Sequence, residues 1–221
     1  MRVLSSALAA TLLIGSAALA QNTATLRWTE GAPNSLSEVK NDTKIEGLKT
    51  DDIHIYVSLA DVKETEYNRV WVQVSNHGTT PITFDPQSAI LLNGDKAVRA
   101  EVPEKAANSI QKYGEAKSQE LSSAHCNMMM RGQQKTGTSA CQPTDTQVQM
   151  GKQIAAFSSQ QAQWVRDNGL KQKTLAPGEE AQGAIVFKKD KKPANYVLRV
   201  PVGSVILEFP VGAQNRLPSY D

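Results

Sequence analysis

Leu175-Ala-Pro-Gly-Glu-Glu-Ala-Gln-Gly-Ala-Ile-Val-Phe187, then a lysine-rich turn, then Tyr196-Val-Leu-Arg-Val200 and Ser204-Val-Ile-Leu-Glu-Phe209, is the stretch whose reading decides the fold. Three short runs rich in β-branched and aromatic residues, divided by Gly, Pro, Asn and charge, predict consecutive antiparallel strands. Pro177-Gly178 supplies the turn into the first run, and Gly183 allows a bulge or the close approach of a neighbour. The cluster Lys188, Lys189, Lys191 and Lys192, with Asp190 inside it, falls at the expected hairpin tip. A solvated turn that discourages edge pairing accounts for it.

Upstream, Asp51 to Leu59 alternates Ile53, Ile55, Val57 and Leu59 against His54, Tyr56 and Ser58. Arg69 to Ser75 repeats the device, with Val70, Val72 and Val74 opposite Trp71 and Gln73. Period-two alternation of this kind marks half-buried strands. Asn76-His77-Gly78 turns the chain into Pro81–Phe84. Ala89–Leu92 and Lys96–Val102 flank Asn93-Gly94-Asp95, a strong hairpin signal. These early strands, 51–59 and 69–84, are the expected partners of the stretch at 175–212. Residues 21–50 are weakly patterned, and Lys44–Leu48 is a candidate edge strand within them.

At Pro103 the period changes. Pro103 suits a first helical position, and Ala106, Ala107, Ile110, Tyr113 and Leu121 recur at helical spacing, although Gly114 weakens the element. Met150, Ile154, Phe157, Trp164 and Val165 mark a second amphipathic helix with Gly169 as its C-terminal stop. The stretch at about 103–170 therefore predicts a two-helix insertion between strands. Cys126 and Cys141 are the only two cysteines. In an exported chain a disulfide between them is expected, and closing a loop of that size stabilises by about 3 kcal/mol.

Together these readings predict a mainly β protein, an immunoglobulin-like antiparallel sandwich over residues 51–221 with a disulfide-clipped helical insertion. The run Leu175-x-Pro177-Gly178-Glu179, Gly183, Phe187 and Tyr196-x-Leu198 resembles the ending of small immunoglobulin-like domains of unknown function in bacterial exported proteins and lipoproteins. Val70-x-Val72-x-Val74-x-Asn76 followed by Pro81-Ile82 is similar to their early part. The resemblance implies a fold and lends no chemistry. The helical insertion and the missing lipoprotein cysteine depart from the pattern.

The start of the chain reads as a targeting segment. Arg2 opens it, Val3 to Leu19 is apolar or small, and Ala18-Leu19-Ala20 resembles a signal-peptidase site. Residues 1–20 are thus expected to be a cleaved signal peptide, with a periplasmic or secreted protein of bacterial type beginning at Gln21. Nothing downstream is apolar enough to span a bilayer. With 24 Lys and Arg against 22 Asp and Glu, the chain lacks the concentrated positive field that nucleic-acid binding needs.

No nucleophile elbow, zinc-protease helix or phosphate loop is present, so no catalytic residue and no cofactor are assigned. The sharpest local feature is His125-Cys126-Asn127-Met128-Met129-Met130 with Cys141. His125, Cys126, Met128, Met130 and Cys141 make a soft donor set suited to Cu(I), as a periplasmic copper-binding or redox protein would need. A disulfide would remove both thiolates. The leading expectation is a non-enzymatic binding or envelope-assembly module whose partner is another envelope or extracellular protein. Phe157, Trp164 and Val165 are the candidate partner-binding residues. Packing of those same residues against the sheet is the competing reading.

Overall fold

A computed structural model describes residues 24–40, 43–61, 66–132, 144–190 and 196–211, with side chains outside 59–61 and 122–132. The chain is mainly β with two long helices. In order it forms β1 (Ala24–Arg27), β2 (Ser35–Lys40), β3 (Thr43–Lys49), β4 (Ile53–Asp61), β5 (Tyr67–Asn76), β6 (Ile82–Phe84), β7 (Ile90–Asn93) and β8 (Lys96–Glu101). Then come α1 (Pro103–Gly132), α2 (Asp145–Asn168), β9 (Lys173–Leu175), β10 (Glu180–Lys188), β11 (Tyr196–Val202) and β12 (Val205–Val211).

Ten strands make one curled sheet in the order β1-β12-β11-β7-β8-β10-β5-β4-β3-β2, while β6 and β9 pair apart from it. The curl turns at β8. Lys96 to Arg99 pair with β7, whereas Ala100 and Glu101 pair with Phe187 and Val186 of β10. The two halves thereby face each other across one core. Ile53, Ile55 and Val57 of β4, Val70, Val72 and Val74 of β5, and Ile185 and Phe187 of β10 enter it from one side. Leu198, Val200, Leu207 and Phe209 enter from the other. Each such side chain contributes about 1.5–3 kcal/mol of transfer free energy.

The decisive stretch supplies β10, β11 and β12, and β11 and β12 are the expected antiparallel neighbours, but β10 and β11 are not adjacent. β10 lies beside β5 along nine residue pairs, from Glu180↔Ser75 to Lys188↔Tyr67. β11 pairs instead with β12 and β7, so β8 and β7 stand between β10 and β11. β10 and β11 are therefore not the two arms of one hairpin, as the expected tip at Lys188–Lys192 would require. Local propensity identifies strands but carries no information on which strand lies beside which.

Two smaller differences have physical causes. The β7–β8 hairpin pairs Asn93 with Lys96, so its turn residues are Gly94 and Asp95, with Gly94 at φ 61°. Asn93 is freed to donate from Nδ2 to Asp190 Oδ2 at 3.0 Å. β3 is not an edge. It pairs with β4 on one side and β2 on the other, and the true edge is β2, which the weak patterning of residues 35–40 concealed.

The insertion is a tight antiparallel helix pair lying consecutively between β8 and β9. α1 starts at Pro103 as the sequence predicts, and α2 starts with a capping box in which Thr144 and Gln147 bond reciprocally. α1 runs on to Gly132, well past the last apolar position that periodicity shows. Gly114 is a requirement of the contact between helices. A Cβ there would stand 2.2 Å from both Cβ and Oγ of Ser158. Gly169 does end α2, but at φ −66° rather than in the left-handed region, so backbone freedom is not its role. A Cβ at 169 would meet Pro103 Cβ at 2.4 Å, and the glycine lets the far ends of the two helices touch.

Gly114→Ala should accordingly destabilise the protein. The better helix propensity of Ala is worth about 1 kcal/mol, and overpacking costs about 1–3 kcal/mol. A net loss of up to about 2 kcal/mol in urea unfolding is expected. Adding Ser158→Gly should recover part of it, giving a coupling energy of at least about 1 kcal/mol. A more stable single variant would refute the close approach.

Ala106, Ala107, Ile110, Ala162 and Val165 seat the helix pair on Tyr67 and Val186, forming a second cluster on the opposite face of β5 and β10. β10 is consequently buried on both faces over 183–187. Gly183 sits where the end of α2 crosses it, and a Cβ there would meet Asn168 O at 2.5 Å. Cys126 lies within α1, but its side chain is outside the described residues, as is all of Cys141, so the expected disulfide falls there too.

Candidate functional site

The face of β4 and β5 turned away from the core carries several large half-buried side chains. Alternation that points Val70, Val72 and Val74 inward turns Arg69, Trp71 and Gln73 outward, where they are half-buried. Register places Ser58 and Ala184 on either side of Trp71, and Tyr56 beside Gln73. Tyr56 lies over Gly47 of β3, where a Cβ would approach its ring to 2.8 Å. Tyr56 and Trp71 are diagonal neighbours on this face, a separation long side chains span.

α2 closes one side of the patch. Ala162 and Val165 face the sheet, which swings Trp164 to the margin, half-buried. Its ring centroid lies 6.4 Å from that of Trp71, tilted by 51°. The Arg69 guanidinium sits 4.3 Å above the Trp164 ring. A guanidinium over an indole face is favourable by about 0.5–2 kcal/mol depending on desolvation. Burial pushes the Arg69 pKa down from its ordinary value, because the charged form loses hydration. Arg69 Nε is shut off from solvent with no hydrogen-bond partner among the described residues, and Gln161 Oε1, one turn before Trp164, is in the same condition. At the rim, Gln73 Nε2 donates to Glu180 Oε2 at 3.0 Å.

A second group lies along the same face at the far end of β4. The His54 and His77 rings stack with centroids 3.8 Å apart and planes 31° from parallel. Burial, then the neighbouring His77 and Lys49, hold His54 below the ordinary histidine value. Among the described residues no group of three or more His, Cys, Asp or Glu is placed to hold a metal ion.

Of the residues singled out from sequence, Val165 is fully buried between helix and sheet, so it packs and cannot meet a partner. Trp164 and Phe157 are half-buried, and Trp164 is brought against Trp71 and Arg69. His125, Cys126, Met128 and Met130 lie on the α1 backbone with side chains outside the described residues, and Cys141 lies outside them entirely. Sequence reasoning missed Arg69. The available signal was an Arg and a Trp two apart on the polar side of a strand, in a chain with helices able to return over that side.

No protein-family model matches the sequence, and no curated protein does. Among solved structures, the crystal structure of the yjhA protein from Bacillus subtilis is similar at 13% identity, covering 70% of this chain and 76% of that one, with a TM-score of 0.33. No helix among the described residues is long and apolar enough to cross a membrane.

Proposed function

We propose that this chain is a non-enzymatic binding module acting outside the cytoplasm, which takes an envelope or extracellular ligand on the outer face of β4 and β5 beside α2. The observation that carries it is the group of Trp71, Trp164 and Arg69: two half-buried indoles at an angle and a guanidinium held against one of them. Rigid aromatic anchors beside a desolvated Arg are the composition of binding hot spots. The extracytoplasmic setting rests on Arg2, the apolar run Val3–Leu19 and Ala18-Leu19-Ala20. With this reading goes an immunoglobulin-like sandwich for the two halves of the curled sheet, supported by the single core they share.

Trp71→Ala is the test. Glycan and peptide arrays should show a ligand class retained by the full chain and lost at least about tenfold in the variant. Unfolding free energy should fall by less than about 2 kcal/mol, since the residue is only half-buried. Equal retention by both proteins would overturn the reading.

A further inference from the structure

We propose that Arg69, Trp71 and Trp164 form a subsite for a carboxylate-bearing saccharide, the guanidinium taking the carboxylate and the indoles the sugar rings. The proposal rests on the binding-module reading and names its ligand class. Arg69 is half-buried, and none of the described ion pairs or hydrogen bonds uses it. Its Nε is closed to solvent while its terminal nitrogens are not, so those two remain for an incoming acceptor. A guanidinium fork matches the two oxygens of a carboxylate bidentately. Trp164 at 4.3 Å fixes the plane of that fork before any ligand arrives, which lowers the entropy lost on binding.

The sheet argues for a saccharide over a peptide. β5 is bonded to β4 on one side and to β10 on the other along its length, so no backbone edge is free here for strand addition. Recognition must come from side chains alone. Two indoles tilted 51° apart, with Tyr56 diagonal to Trp71, offer flat apolar surfaces for sugar C–H faces, and Ser58 and Gln73 offer hydrogen bonds to hydroxyls. A single arginine with a formal net charge of +2 on the chain does not suit a polyphosphate.

Tryptophan fluorescence of the full chain reports the site, since Trp71 and Trp164 line it and Trp28 is buried elsewhere. Titration with oligogalacturonate should give a saturable change. Affinity should fall at least about tenfold with the methyl-esterified oligomer and in Arg69→Met, with a smaller loss in Arg69→Lys, whose point charge lacks the fork. Thermal melts confirm folding, and if Arg69→Met does not fold, Arg69→Lys and the esterified oligomer decide. Equal binding of acid and ester would overturn the carboxylate assignment while leaving a binding module for neutral sugars. Binding of an N-acetylated tripeptide with a free carboxylate, and not of the saccharide, would replace the saccharide by a peptide terminus. Unchanged affinity in Arg69→Met would remove Arg69 from the site. No binding of any of the three probes by the folded protein would refute both the subsite and the binding reading on this face.

Discussion

Trp28→Ala is expected to lower the unfolding free energy by about 3–5 kcal/mol, the range for truncating a buried aromatic. β1 and β2 are the two ends of the ten-strand order, yet they follow each other in sequence, joined only by residues 28–34. That short strap brings the edges of the curled sheet together, and Trp28 is its buried anchor at 7% exposure. Its backbone N–H donates to Glu208 O at 2.8 Å, on the β12 side of the seam. Its indole Nε1 donates to Leu36 O at 2.9 Å, on the β2 side. Lys44 Nζ lies 5.0 Å from the ring. One residue thus fills the core at the seam and ties the strap to the backbone of β2, the edge strand. Trp28→Phe retains most of the ring and loses the donor, so it should cost about 1–2 kcal/mol. Guanidinium unfolding with an unchanged m-value checks both. A loss under about 1 kcal/mol for the alanine variant would mean that the strap is peripheral.

The role of Trp28 shows where the sequence stops being legible. Strands β4, β5, β10, β11 and β12 announce themselves, because alternation is written locally in Ile53-x-Ile55-x-Val57 or Val70-x-Val72-x-Val74. So do the helices, through Pro103 and the spacing of Ile154, Phe157 and Val165. Pairing is not local. Nothing in Phe187 or Tyr196 says that β8 and β7 intervene between their strands. Residues 21–50 look weak because β1 and β2 are short edge strands with little burial, and their contribution concentrates in one side chain from the loop. Gly114 read alone as a helix defect, since the Ser158 it makes room for lies on another helix. The site was half visible: Trp164 stood out on α2, but its partners Trp71 and Arg69 became meaningful only once α2 was placed over β5.

Glu208→Gln should remove about 2 kcal/mol at neutral pH and should also change the pH profile. Glu208 is 2% exposed, on the face of β12 opposite Leu207 and Phe209. Strand register sets it between Arg27 of β1 and Arg199 of β11. Arg27 donates from Nε and Nη2 to Oε2 at 2.9 and 2.8 Å, and Arg199 donates from Nε to Oε1 at 2.5 Å. Burial alone would raise the pKa of this carboxyl, but the bonds and charges of the two arginines outweigh it and hold it below the ordinary glutamate value. Charge-assisted bonds are worth about 1.5–3 kcal/mol each in favourable settings. Both arginines reach solvent, with side chains 70% and 43% exposed, so screening reduces that contribution. Because the folded pKa is the lower one, the unfolded chain takes up the proton first as pH falls. The stabilisation is therefore complete well above the ordinary glutamate value of 4.5 and is lost as pH drops from there through the folded pKa. Wild type and Glu208→Gln should differ most at neutral pH and converge as pH falls below the folded pKa of Glu208. Denaturant unfolding across that range, at low and high salt, decides the matter. A difference that persists undiminished into acid would show that Glu208 acts through packing and not through its charge.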